Sequence, residues 1–269
     1  MNWRALPAFL KKDFLVDSSY IYAFGSNILG VAVSMATFFF IDRLFGNRLV
    51  THLEPFGVAF FSYVLLNLAF FNYVGTSLGG VASRLASERH MGTLESLLMT
   101  PTSMPTIILS MNLWNFCIAT FDMVLYLLVG ALVFGVDFSS VNLLSAGCIL
   151  ALSVLAFSCL GTLDSCFVLV FQRGTPFAWL VGSLLGLVGG VYVPISVLPD
   201  WLQLLSRINP VTYAVEGMQR AVYHGASLQA VAPHAVVLTL FVLALIPISY
   251  WTLARAIRQA KINGNLTHY

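Results

Sequence analysis

The sequence predicts an all-α membrane protein with six transmembrane helices, an N-terminal amphipathic interfacial helix, a short cytoplasmic docking helix and two external re-entrant half-helices between spans five and six. Three observations carry that prediction. Of 269 residues, 59% are hydrophobic and 9% are charged, against roughly 25% charged in a soluble domain. The charges are segregated, which leaves long apolar tracts between short polar stretches. Each tract reaches the roughly 20 residues that cross a bilayer as a helix, the form that satisfies its own backbone hydrogen bonds in lipid. The chain reads as one transmembrane domain over 1–269.

Residues 1–19 mix Arg4, Lys11, Lys12, Asp13 and Asp17 with apolar side chains, and no small-x-small cleavage site follows a short apolar core, so a cleaved leader is not expected. With Leu6, Phe9, Leu10 and Phe14 opposing the charges, a helix lying on the membrane surface is expected. The spans follow at 21–41, 56–82, 106–134, 143–171, 175–195 and 231–254. With both termini cytoplasmic, Arg4, Lys11, Lys12, Arg84, Arg89, Arg173, Arg255, Arg258 and Lys261 fall inside, and Arg43, Arg48, Arg207 and Arg220 fall outside. That excess favours both ends in the cytoplasm, and a multi-pass protein of the cell inner (plasma) membrane is expected.

Two connections are unusual. In 83–105, Arg84 to His90 extends the second span as helix and Gly92 breaks it. Thr93 then caps a short helix from Leu94 to Met99 that ends before Pro101. A short, exposed, capped helix on the inner face has the form of a docking element. In 196–229, Pro199 opens a helix at Asp200-Trp201-Leu202 that stops before Asn209-Pro210, and Val211 to Tyr223 forms a second with Gly225 past its end. Trp201, Leu204, Leu205 and Ile208 make an apolar side, while Glu216, Gln219 and Arg220 keep the next helix polar on another. The pair reads as half-helices that dip into the outer leaflet and return.

Polar groups inside the spans are few. Asp122 and Asp164 each cost on the order of 2.5–3.5 kcal/mol to insert at mid-membrane, so each invites a functional reading. At 1.5 Å per residue Asp122 lies about 25 Å from the cytoplasmic end and Asp164 about 12 Å, which disfavours a shared proton. Cavity lining or local structural roles are expected instead, with Thr162 and Ser165 beside Asp164. Asn67, Asn72, Asn112 and Asn115 suit interhelical hydrogen bonding or the lining of a wet cavity. Gly182 and Gly186, continued by Gly189 and Gly190, permit close helix approach and mark a tight subunit or bundle contact. Cys117, Cys148, Cys159 and Cys166 all fall in apolar tracts without Cys-x2-Cys spacing, and read as packing residues.

No Gly-Lys dipeptide exists, so there is no phosphate-binding loop of the Gly-Lys-Ser/Thr kind. His52, His90, His224, His234 and His268 are scattered without metal-ligand spacing, and no Ser/His/Asp arrangement can be assembled. No basic patch with interleaved aromatics points to nucleic acid. The chain is therefore expected to bind no metal or cofactor of its own and to be no enzyme.

Ser87-Glu88-Arg89-His90-Met91-Gly92-Thr93-Leu94-Glu95-Ser96-Leu97-Leu98-Met99-Thr100-Pro101 closely resembles the E-R-x-x-GTLE-x-LL-x-TP stretch of ABC transporter type-2 permeases. Pro194, then Leu198-Pro199-Asp200-Trp201-Leu202, then Asn209-Pro210-Val211-Thr212-Tyr213 and Arg220 resemble the external segment of the same family. The resemblance implies that Glu88, Arg89, Gly92, Thr93, Glu95 and Leu98 form the cytoplasmic coupling helix, which inserts into a separate ATP-binding subunit. It implies that Pro199, Trp201, Asn209, Pro210, Tyr213 and Arg220 belong to a hairpin capping the exit side. It further implies an assembly of two permeases, here a homodimer, with two ATPases that hold ATP and Mg, and a path bounded largely by the first and fifth spans. Gly182 and Gly186 suit that dimer contact. His90 departs from the family, where an acidic residue is common.

The loop resembles drug- and antibiotic-export permeases more than the polysaccharide-export branch, which implies an exporter of a lipophilic or amphipathic drug, natural product or lipid. Export of a polysaccharide or lipid-linked glycan is the alternative. An ion-coupled secondary transporter using Asp122 or Asp164, or a scaffold without transport, would need no docking helix for an ATPase.

Overall fold

The computed structural model describes residues 6–19, 21–49, 60–93, 96–97, 99–100, 102, 104–171 and 176–262. Among these, every regular element is helical. The long helices are α1 (Leu6–Ser19), α2 (Ile21–Leu49), α3 (Phe60–His90), α4 (Met104–Leu132) and α5 (Leu143–Phe171). There follow α6 (Pro176–Val188), a 3-10 turn at Ile195–Val197, α7 (Asp200–Ser206), α8 (Pro210–Tyr223) and α9 (Leu228–Ile262). The segments Phe60–Glu88, Thr106–Leu132, Leu143–Phe167 and Leu228–Ala256 are long and apolar enough to cross a membrane.

Helix α3 is the axis of the bundle, packed by α2, α4, α5, α6 and α8, while α9 lies on α5 and α8. Its segment is the least apolar of these four, with a mean hydropathy of 1.3, and also the most enclosed, at 61% buried. The other three are more apolar and only 22–28% buried. That ordering inverts the rule for water-soluble proteins: lipid demands apolar outer faces, whereas a protein-lined interior accepts polar groups that find partners. Leu66, Phe70, Val74 and Leu78 of α3 meet Ile149 and Phe157 of α5, Val215 and Met218 of α8 and Leu238 of α9 in one core cluster. At Gly161 of α5 the two backbones come so close that a Cβ would strike the Ser77 and Leu78 carbonyls.

Three elements differ from the sequence expectation. The fifth span, expected over 175–195, is helical only over Pro176–Val188, 13 residues or about 20 Å, short of a hydrocarbon core of roughly 30 Å. Gly190, with φ of 81°, turns the chain out of the helix, and Thr175 lies outside the described residues. The third span begins at Met104 and ends at Leu132, with Gly135 (φ 70°) in the following turn. Helix α1 is not a simple surface helix: Asp13 is buried, Phe14 and Leu15 are exposed, and Phe9 packs into the cluster formed by Val81, Leu85 and Ile107. Lys12, Asp13 and Asp17 face the bundle, where α3 and α4 offer them partners, while Lys11 is exposed.

Candidate functional site

The end of α3 that leads into the GTLE loop is closed by its own backbone. Gly92 has φ of 69°, and the Thr93 N–H donates to the Glu88 carbonyl at 2.9 Å. A bond spanning six residues over a left-handed glycine is the Schellman motif, in which glycine avoids a Cβ clash. The Thr93 hydroxyl also donates back, to the Glu88 carbonyl at 3.1 Å and to its carboxylate. Thr93 thus seals α3 with its side chain. The next turn begins there, since the Leu97 N–H reaches the Thr93 carbonyl at 3.0 Å. Leu97 is buried against Val81, Leu85, Ile107 and Met111, while Met91 and Met99 are exposed. Glu95 and Leu98 lie outside the described residues, and so does the side chain of Arg89.

Glu88 and Arg84, one turn apart on α3, meet α1. The Lys12 ammonium donates to Glu88 and lies 3.3 Å from Asp13. The Arg84 guanidinium donates to Asp17 at 2.9 Å, stands 3.6 Å from Asp13, and donates from Nε to Asn115 Oδ1 of α4 at 2.7 Å. The Trp114 indole N–H of α4 also donates to Asp17. One network therefore joins the loop residue Thr93 to α1, α3 and α4. Burial opposes the charge on Lys12, but the hydrogen bond to Glu88 and the fields of Asp13 and Glu88 outweigh it and hold the ammonium above its ordinary pKa.

At the opposite end, the abrupt stop of α6 leaves carbonyls that nothing in a helix satisfies, and an orphaned carbonyl in lipid costs several kcal/mol. Side chains from α3, α7 and the turn before α8 take them. Tyr63 donates to Gly190 O at 2.7 Å, and Asn67 donates to Gly190 O at 3.3 Å and Val191 O at 3.1 Å. Ser206 donates to Val188 O at 2.7 Å and Asn209 to Leu185 O at 2.8 Å. Gln219 of α8 donates to Asn67 Oδ1 at 2.7 Å and completes the cluster.

The hairpin residues sit around it. Pro199 is the N-cap of α7, and Asn209 caps α8 by accepting from the Val211 N–H at 2.9 Å, with Pro210 at the first helical position. Tyr213 donates to Arg207 O at 2.7 Å, and Arg220 is exposed in the last turn of α8. The two half-helices are unequal. Helix α7 and the turn after it expose Trp201, Leu204, Leu205 and Ile208, whereas most of α8 is buried in the bundle.

Gly186, expected at a subunit contact, is buried against Phe71 of the same chain, where a Cβ would strike the ring; Gly182 faces Leu78 at a looser 3.9 Å. The close approach at Gly186 is intramolecular, and the exposed face of α6 carries Leu180, Leu184 and Leu187. Asp122 and Asp164 are both buried, on α4 and α5. Thr162 and Ser165, expected beside Asp164, donate to the Ser158 and Thr162 carbonyls and so serve their own helix.

Residues 12–223 match the family described as ABC-2 type transporter. The chain belongs to the ABC-2 type transporter family. It is similar to the inner membrane transport permease YadH of Escherichia coli (strain K12), at 23% identity over 220 residues, 81% of this chain and 83% of that protein. It is also similar to the putative transport permease YvfS of Bacillus subtilis (strain 168), at 23% identity over 165 residues, 61% of this chain and 67% of that protein.

The part of the chain that matches the ABC-2 family opens at Lys12 and closes at Tyr223, so it contains the whole charged network and the whole hairpin. Sequence reading missed Lys12, Asp13, Asp17 and Arg84 as partners of the loop. A signal was present: Asp13/Asp17 and Arg84/Glu88 are both spaced i, i+4, each pair on one helix face. It also missed Tyr63 and Gln219 as the anchors of the broken α6, because Gly189-Gly190 marks a stop without saying which distant side chains take the freed carbonyls.

Proposed function

We propose that this ABC-2 family chain is the permease subunit of an ATP-driven exporter in the inner membrane, with both termini in the cytoplasm. Two copies of the chain and two copies of an ATP-binding subunit, which hold ATP and Mg, make the working unit. ABC-2 permeases generally work with such a subunit, and the relative in Escherichia coli is named an inner membrane permease. The substrate class is lipophilic or amphipathic: a drug, a natural product or a lipid. The leading support is the network from Thr93 through Glu88 to Lys12, Arg84, Asp17 and Asn115. It gives a push on the loop a connected route into three helices at once. The residues around Gly92, Glu95 and Leu98 are the docking surface, with exposed Met91 and Met99 on either side.

In this reading, nucleotide-driven closure of the partner subunits moves the loop, the network tilts α1, α3 and α4 together, and a path bounded by α2 and α6 opens outward. Such coupling requires the partner to contact the loop differently in its two nucleotide states.

The test is reconstitution with the cognate ATPase in liposomes, reading substrate-stimulated ATP hydrolysis. Glu95→Arg is expected to abolish stimulation while retaining the wild-type unfolding temperature, whereas Gly92→Pro, which cannot take the φ of 69°, is expected to abolish stimulation and to lower that temperature as well. Transport that persists without the ATPase, or nucleotide hydrolysis by the isolated chain, overturns the proposal.

A further inference from the structure

Between the loop-side ends of α5 and α9 lies a cavity of about 310 Å³, lined by Leu163, Cys166, Phe167 and Val170 of α5 and by Thr252, Arg255, Ala256 and Gln259 of α9. Its walls are mostly apolar, and its polar groups are grouped on the α9 side. The Arg255 guanidinium stacks on the Trp251 ring at 3.8 Å, which fixes the long side chain in one orientation. Among the described residues, Arg255 takes part in no ion pair. Arg258, three residues further along α9, is also exposed.

Depth decides what fills such a space. Tyr250 and Trp251 are both exposed on α9, and exposed Tyr and Trp near the end of a crossing helix sit at the headgroup level. Arg255 lies about 6 Å beyond Trp251 along the helix, so its charge stands among the headgroups. The apolar walls contributed by Leu163, Phe167 and Val170 adjoin it. A fixed cation at the headgroup level beside an apolar cleft matches a phosphate joined to an acyl chain. Guanidinium recognises phosphate with paired donors, and basic pockets between membrane helices take anionic lipid headgroups.

We propose that this cleft is a specific site for one anionic phospholipid of the loop-side leaflet, with its phosphate on Arg255 and an acyl chain between α5 and α9. The site has a consequence for the loop. Cys166 and Ala256, which line the cleft, also belong to the cluster that seats Leu97, so the lipid lies one side-chain layer from the docking loop.

The test is native mass spectrometry of the delipidated full chain in detergent, titrated with phosphatidylglycerol or phosphatidylcholine of the same chain length. One phosphatidylglycerol per chain is expected to be retained with about fivefold preference, the factor corresponding to about 1 kcal/mol per arginine near an anionic surface. Arg255→Gln is expected to erase the preference, and Arg43→Gln, on α2, to leave it. Leu163→Trp, which fills the cleft and keeps Arg255, is expected to lose retention of both lipids. Equal retention of the two lipids by the wild type overturns the site, and so does displacement by millimolar inorganic phosphate or undiminished retention by Leu163→Trp. None of these readouts depends on transport, so the site stands or falls apart from the exporter proposal.

Discussion

At the loop end of α3, Arg84 and Glu88 meet Lys12, Asp13 and Asp17, whereas at the hairpin end Tyr63 and Asn67 meet backbone carbonyls and Gln219. The first set is ionic and partly wet: the side chains of Lys12 and Asp17 are more than a third exposed. The second set is neutral and buried. Charges at a wet boundary can exchange partners with water at small cost, because surface pairs contribute only about 0–1 kcal/mol each. Neutral donors on orphaned carbonyls inside the bundle have no such substitute, since each unpaired buried group costs about 1–3 kcal/mol. One helix thus runs from an adaptable joint, where a partner would push, to a fixed anchor that holds the break in α6 and the hairpin.

The largest effect is expected where the ionic end is driest. Asp13 is buried, and Arg84 is its partner together with Lys12. Arg84→Ala also strips Asp17 and Asn115, and it should cost up to about 3 kcal/mol, because a charge left unpaired away from water is penalised strongly. The midpoint of thermal unfolding in detergent reads this out. A loss smaller than that of any hairpin-end variant would mean that Asp13 is hydrated, and the contrast between the two ends would dissolve. At the neutral end, Asn67→Ala removes both donors to Gly190 O and Val191 O and the acceptor of Gln219. The expected loss is about 2 kcal/mol, read by the same assay, with no dependence on salt. A strong salt dependence for Asn67→Ala would show that its effect travels through the ionic end.

How much of this was legible in the sequence follows from where its signals lie. The helical character, the extension of α3 through Arg84 to His90, the break at Gly92 and the two hairpin helices with Pro199, Asn209-Pro210 and Gly225 as punctuation all rest on local chemistry, and the helices and turns lie where those residues put them. The early end of α6 was legible only in part. Gly189-Gly190 and Pro194 are turn signals within the apolar run, but the donors that take the freed carbonyls, Tyr63, Asn67, Ser206 and Asn209, lie in other elements and left no local sign. The inward turn of α1 was hidden for the same reason. Its amphipathic pattern reports two faces, and only the packing of Arg84 and Trp114 decides which face turns to protein. The glycines of α6 gave the right property, close approach, without saying to what; for Gly186 the partner is Phe71.

The smallest effect sharpens the comparison most, because it asks whether charge or shape holds the ionic end. Folding raises the pKa of Lys12, so the folded state binds that proton more tightly than the unfolded chain does. Its contribution is therefore complete below the unfolded value of roughly 10.4, and it is lost as the pH climbs through the folded value. Lys12→Met keeps much of the aliphatic stem and removes the charge. Its unfolding midpoint should fall slightly below wild type between about pH 7 and pH 9, and the gap should close above the folded pKa, where wild-type Lys12 is itself neutral. Half-molar salt should narrow the same gap at pH 7.5, since the Debye length then drops to a few ångströms. Asn67→Ala, measured in parallel, should keep its deficit through both changes. If the Lys12→Met gap instead persists at high pH and in salt, the side chain acts through its stem packed against α3, and the loop end is held by the same shape-based contacts as the rest of the bundle.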